Sequence, residues 1–215
     1  HGGGYVLCSP ATHRDMTARL SVAANARLYV PDYRLAPEHP YPAALEDAVS
    51  VWRSFDHENG RFTVAGDSAG GGLALAMMFR LREQGAALPD SAVLLSPWVD
   101  LTLSSPSLDT SPHDYLQRPM LERFKAHYLK GHSAHLPEVS PLFADLEGLP
   151  RMLLLSGECE VFLGENLAFA ERAQAAGCDL RVHIGPGMIH VWPAFAAILP
   201  EGRRAIGDMA DFLAG

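Results

Sequence analysis

The chain has 215 residues, 48% of them hydrophobic, and a formal net charge of −8. That length suits one domain with a sizeable core, residues 1–215, and the apolar content excludes a disordered chain. The acidic balance argues against nucleic acid as the main partner, because a polyanion needs a basic face, and the lack of a basic run argues against a membrane-surface helix.

In chain order, short apolar runs alternate with helical patterns. Runs rich in Val, Ile and Leu at 27–30, 62–65, 92–95, 152–155 and 180–184 are bounded by Gly, Pro, Asp or Ser and read as strands. The first helix expected is the one carrying Leu45, Ala48, Val49, Trp52 and Phe55, with Pro42 near its start. Residues 69–84 read as a mostly buried helix ended by Gly85, and 164–176 as a helix stopped by Gly177. The last helix, 201–213, shows Ile206, Met209, Ala210 and Leu213 on one face. Alternation at this spacing predicts parallel strands joined by helical crossovers, with helices on both faces of the sheet. Strands covered on both faces are then continuously apolar. Residues 104–113, rich in Ser, Pro and Asp, are expected to form a long loop bordering a pocket, and 131–141 is a second irregular stretch. The most apolar segment, 62–79, contains Asp67 and several glycines and is a poor transmembrane span, so stable membrane insertion is not expected.

The strongest chemical signal is Gly66-Asp67-Ser68-Ala69-Gly70, placed between an expected strand and an expected helix. A serine on a sharp strand-to-helix turn exposes its hydroxyl, small neighbours let the backbone bend, and the helix N-terminus offers free N–H groups to developing negative charge. A phosphate-binding loop is the weaker rival, since no Lys-Ser/Thr follows the glycines. At His1-Gly2-Gly3-Gly4, backbone donors lie free of side-chain cover and can form an oxyanion hole with the N–H of Ala69. Of ten histidines, His190 follows the last expected strand, at the sheet edge where Ser68 also emerges, and is the candidate base. His13, His57, His127, His132 and His135 sit in polar or helical surroundings, and His183 falls within a strand. Glu158 and Glu160 both emerge after the 152–155 run and are candidates for the acid that orients the imidazole. Cys159 lies between two carboxylates that raise a thiol pKa, which disfavours it as a nucleophile. Cys8, Cys159 and Cys178 show no zinc spacing and read as reduced thiols of a cytoplasmic protein.

The run His1 to Gly4, then Asp32-Tyr33-Arg34-Leu35-Ala36-Pro37-Glu38-His39, then Gly66-Asp67-Ser68-Ala69-Gly70-Gly71, resembles the hormone-sensitive-lipase-like esterases of the α/β-hydrolase fold. The resemblance runs to the C-terminus. It implies a serine hydrolase of carboxylic esters with short to medium acyl chains, working through an acyl-enzyme with no metal or organic cofactor. The oxyanion role of Gly2, Gly3 and Gly4 is carried over from the lipase HGGG loop, with Ala69 as the further donor. The chain order Ser68, Glu160, His190 matches the order of the fold's triads. The family's acid turn, G-x-x-D-P-L-x-D, laid on this chain puts Gly157 at the Gly and Glu160 at the catalytic Asp, with Val161-Phe162 for Pro-Leu. Glu158 is the reserve. Segment 32–39 is expected to be structural, with Arg34 and Glu38 able to pair, and Asp67 is expected to be a buried hydrogen-bonding partner of that loop.

Amide or N-acyl hydrolysis by the same triad is the alternative within enzymes. A non-catalytic ligand-binding module is the alternative outside them, as in the plant gibberellin receptors, which replace the triad histidine that this chain keeps as His190. The expected partner is a small-molecule ester, and association into a homo-oligomer is left open. Family members carry an N-terminal cap and a strand leading into the glycine run, and this sequence opens with His1. The expectation is therefore a C-terminal portion of a longer polypeptide, poorly soluble by itself, lacking the cap and first strands, with 27–30 beside a gap or open sheet edge. A targeting signal could have been lost with that N-terminus.

Overall fold

A computed structural model describes all residues except Glu58, Asn59 and Pro112, the last of which falls in the expected 104–113 loop. Four strands form one parallel sheet in sequence order: β1 (Thr63–Asp67), β2 (Ser91–Leu95), β3 (Arg151–Gly157) and β4 (Leu180–Gly185). The register aligns Asp67 with Leu95, Leu95 with Leu155, and Gly157 with Gly185, so all four strands finish at one rim.

Helices α1 (Arg14–Ala23), α2 (Ala43–Arg53), α3 (Ala69–Glu83), α4 (Ser107–Thr110), α5 (Arg118–Leu129), α6 (Leu163–Ala175) and α7 (Pro200–Ala214) surround the sheet. Alternate strand residues feed two cores. Ala92, Leu94, Met152 and Leu154 pack with Leu75 and Met78 of α3 and Phe169 and Ala173 of α6. Val93, Leu95, Leu153 and Leu155 pack with Met16 and Leu20 of α1 and Ile206, Met209 and Ala210 of α7. Each of the buried Val, Leu, Ile, Met and Phe side chains among them contributes about 1.5–3 kcal/mol of transfer free energy. Covering both faces buries every residue of β2, as its unbroken apolar run predicts.

Two expectations change, and helices α1 and α5 appear that were not expected. Residues 27–30 carry no strand pairing, since a strand requires a hydrogen-bonded neighbour and none lies alongside among the described residues. A cavity of about 790 Å³ is lined by 27–31, by β1, and by Leu20, Trp52, Leu73, Met77 and Met209. β1 and β4 are sheet edges and are partly exposed rather than continuously buried. Helices α1 and α5 carry little helical signal in sequence because only Met16 and Leu20 of the first, and Leu121, Tyr128 and Leu129 of the second, are buried.

Candidate active site

Ser68 occupies the junction of β1 and α3 with φ 52° and ψ −123°, a conformation L-residues rarely adopt. The bend is possible because its neighbours are glycines. A Cβ on Gly66 would stand 2.2 Å from the Gly70 carbonyl oxygen, and one on Gly70 would stand 2.7 Å from the His1 carbonyl oxygen. The turn is pinned from the next strand: Ser68 N–H donates to Leu95 O at 2.9 Å, and Trp98 N–H donates to Ser68 O at 2.9 Å. The Ser68 hydroxyl makes no hydrogen bond among the described residues, at the head of α3 where helix N–H groups converge.

The glycine run lies against this turn. A Cβ on Gly2 would come within 3.1 Å of Ser68 Cβ. Tyr33 donates to His1 O at 2.5 Å and stacks on the His1 ring at 4.3 Å. At the far end, buried Tyr5 stacks on Tyr128 with ring centroids 3.8 Å apart. The Gly2 N–H donates to Asp67 Oδ1 at 3.0 Å, whereas the N–H groups of Gly3, Gly4 and Ala69 have no acceptor among the described residues.

Glu160 and Glu158 part company in three dimensions. Glu160 is fully buried, and its carboxylate accepts from Ser96 Oγ at 2.6 Å, Gly157 N–H at 2.7 Å and Asn166 Nδ2 at 3.0 Å. Burial pushes its pKa up to about 7 against the pull of these donors. Glu158 is exposed and accepts from Gly187 N–H at 2.8 Å, holding the loop that leads to His190.

His190 is buried beside Phe162, whose ring it meets edge-on at 5.0 Å, and beside Tyr115 at 5.9 Å. Its Nδ1 has no hydrogen-bond partner among the described residues, and burial pulls its pKa down to about 3. It is therefore a neutral imidazole at neutral pH. Ser96 links the turns: its hydroxyl donates to Glu160 and accepts from Val191 N–H at 3.1 Å, next to His190. Ser96 itself follows β2, beside the Leu95 carbonyl that holds Ser68.

The segment 104–113 is not a continuous loop as expected, since it contains α4, and it borders the acid turn. Ser107 Oγ donates to Val161 O at 2.6 Å, Ser111 Oγ donates to Glu160 O at 3.1 Å, and Asp114 accepts from Val161 N–H at 2.9 Å. Burial raises the Asp114 carboxyl pKa. Ser96, Asn166 and Asp114 carry no local sequence signal for this role. Their partners lie 64, 6 and 47 residues away.

Two pairings differ from the sequence reading. Arg34 pairs with Asp47 at 2.8 Å and Glu46 at 3.2 Å, not with Glu38, because α2 turns that acidic face toward it. Asp67 faces Gly2 and His13 rather than segment 32–39, with His13 Nε2 at 3.1 Å from Oδ2. Among the described residues no three His, Cys, Asp or Glu side chains are grouped to hold a metal ion, and no helix is long and apolar enough to cross a membrane.

Comparison with known proteins identifies the family. A family model described as alpha/beta hydrolase fold matches residues 1–194. An acetyl-hydrolase from Streptomyces hygroscopicus is 41% identical over 218 aligned residues, covering 99% of this chain and 73% of the relative. The crystal structure of EstE5 soaked with p-nitrophenyl butyrate superposes with a TM-score of 0.96 at 42% identity, covering 100% of this chain and 74% of that one. An esterase from the bacterial hormone-sensitive lipase family gives the same TM-score of 0.96 at 42% identity, with 100% and 74% covered. With the fold, the serine turn and these likenesses in agreement, the chain belongs to the α/β-hydrolase family and is a hormone-sensitive-lipase-like carboxylesterase.

Proposed function

We propose that Ser68 is the nucleophile, His190 the general base and Glu160 the carboxylate that orients it. The observation that carries this reading is the common rim. Ser68, Ser96, Glu160 and His190 follow β1, β2, β3 and β4 in turn, and Ser96 ties the Glu160 carboxylate to the backbone beside His190. Neutral His190 accepts the Ser68 proton as the oxygen attacks the ester carbonyl. The resulting oxyanion is held by N–H groups of Gly3, Gly4 and Ala69, while Gly2 secures the loop through Asp67. The imidazolium protonates the departing alcohol, and water then repeats the sequence on the acyl-enzyme to release the acid. Glu160, placed within this rim, favours the charged imidazole formed between the steps.

Short acyl esters are the proposed substrates. One relative is named an acetyl-hydrolase and a solved neighbour was soaked with a butyrate ester. Hydrolysis of p-nitrophenyl acetate and butyrate by the parent and by Ser68→Ala tests the assignment. Turnover is expected to fall by about 10³-fold or more in the variant, and a fluorophosphonate probe should label the parent at Ser68 alone. Unchanged turnover in Ser68→Ala would remove the nucleophile from this reading.

A further inference from the structure

The His13–Asp67 pair behind the serine turn is not needed for the triad, yet it adjoins the glycine loop. His13 and Asp67 have side chains only 11% and 8% exposed, with Nε2 and Oδ2 at 3.1 Å. The other carboxylate oxygen, Oδ1, accepts the Gly2 N–H at 3.0 Å. His13 Nδ1 faces Ser9 O at 3.3 Å and Thr12 Oγ1 at 3.0 Å, and the Thr12 hydroxyl hydrogen is already given to Ser9 O at 2.8 Å. Nε2 faces the Asp67 carboxylate and Nδ1 lies between the Ser9 carbonyl and the Thr12 hydroxyl, so the ring is held from both sides. Burial opposes charge on the ring, but the hydrogen bond and charge of Asp67 outweigh it and raise the His13 pKa. Burial likewise opposes the Asp67 carboxylate, and His13, together with the N-terminal charge and the Gly2 N–H, keeps that pKa low.

Gly2 has no side chain to anchor it. A Cβ there would meet Asp67 Oδ2 at 2.3 Å, so its position against Ser68 depends on the Asp67 carboxylate and on what holds that carboxylate still. We infer that His13 is a positioning residue for ester hydrolysis: it grips Asp67, Asp67 holds the Gly2 N–H, and the loop is thereby set so that the Gly3 and Gly4 N–H groups meet the developing oxyanion. This rests on the reading of Ser68 as nucleophile. Asp67 is in this view the hub between nucleophile turn and oxyanion loop, adjacent to the first in sequence and bonded to the second in space. Donor placement matters in the transition state more than in the bound substrate, so a loosened clamp should lower kcat and spare KM.

The test uses the full chain with His13→Ala, His13→Gln and Ser68→Ala, measuring p-nitrophenyl butyrate hydrolysis and inhibition by an aryl trifluoromethyl ketone. The ketone's serine adduct carries an oxyanion in the same hole. In His13→Ala, kcat is expected to fall about tenfold to a hundredfold, less than for outright loss of one donor, with KM within about twofold and the ketone weakened in proportion to kcat. His13→Gln, whose side-chain N–H can still reach Asp67, should recover most of both. Parental kcat and ketone affinity in His13→Ala, with Ser68→Ala inactive, would overturn the clamp and leave the nucleophile standing. Activity surviving in Ser68→Ala would overturn both. If His13→Ala does not fold, Asp67→Asn answers the question. Its amide oxygen can serve Gly2 but the carboxylate that grips His13 is gone, so the same fall in kcat at constant KM is expected, and parental values would overturn the inference.

Discussion

Ser96 Oγ lies 2.6 Å from Glu160 Oε2 and donates its hydrogen to it, while accepting the Val191 N–H at 3.1 Å. One small side chain thus joins the acid turn after β3 to the histidine turn after β4. Ser96→Ala breaks both links at a fully buried site. The loss is expected to cost about 1–3 kcal/mol of stability and to lower kcat about tenfold with KM little changed. Chemical denaturation and steady-state kinetics on p-nitrophenyl butyrate check this. A variant with parental kcat would show that the two turns hold their places without the hydroxyl.

The serine turn stores strain. Ser68 sits at φ 52° and ψ −123°, where glycine is at ease and an L-residue is not. Ser68→Gly is therefore expected to be inactive yet more stable, by about 1 kcal/mol, or roughly 2–4 °C in Tm. Calorimetry of the pair measures it. A lower Tm in the variant would mean that the hydroxyl contributes more than the backbone strain costs.

The opposite sign is expected at Gly66. The 2.2 Å approach of its hypothetical Cβ to the Gly70 carbonyl is backbone against side chain, with no flexible tip to yield. Gly66→Ala should cost about 3 kcal/mol or more and abolish labelling of Ser68 by a fluorophosphonate, because the turn must open to make room. Retained labelling at parental stability would refute the steric account of the glycine.

Two buried groups give opposite pH dependences of stability. Glu160 is raised from 4.5 to about 7, so the folded state binds its proton more tightly than the unfolded chain does. Its contribution is full below pH 4.5 and is lost as pH rises through about 7. His190 is lowered from 6.5 to about 3, so its contribution is full above pH 6.5 and is lost as pH falls toward 3. Urea unfolding across pH 3–8 should show Glu160→Gln without the first decline and His190→Asn without the second. Parallel curves for parent and Glu160→Gln would mean that the carboxyl is ionised throughout.

How much of this was legible beforehand follows the range of the interactions. The four paired strands, the helices α2, α3, α6 and α7 and the serine turn are written in neighbouring residues, because apolar runs, helical spacing and glycine sterics act within one turn or one strand. Helices α1 and α5 were not legible, since each buries one narrow stripe against distant elements. Residues 27–30 look like a strand by composition, but strand formation needs a partner, and composition does not supply one. The polar neighbours of His13 in sequence say nothing of Asp67, 54 positions later.

By itself, then, the order of residues determined the turn that carries Ser68, the alternation that makes a parallel sheet, and the likeness to a family of esterases, whereas the expected exposure of that serine is not met, since Ser68 is buried. Tertiary structure alone decided that Glu160 is buried while Glu158 is exposed, that Ser96 joins the acid and histidine turns, and that Asp67 answers to His13 and Gly2. The reason is physical. A backbone bend is governed by its own few dihedrals and the bulk of adjacent side chains, whereas the partner of a buried polar group is whichever loop the strand register delivers to the same rim.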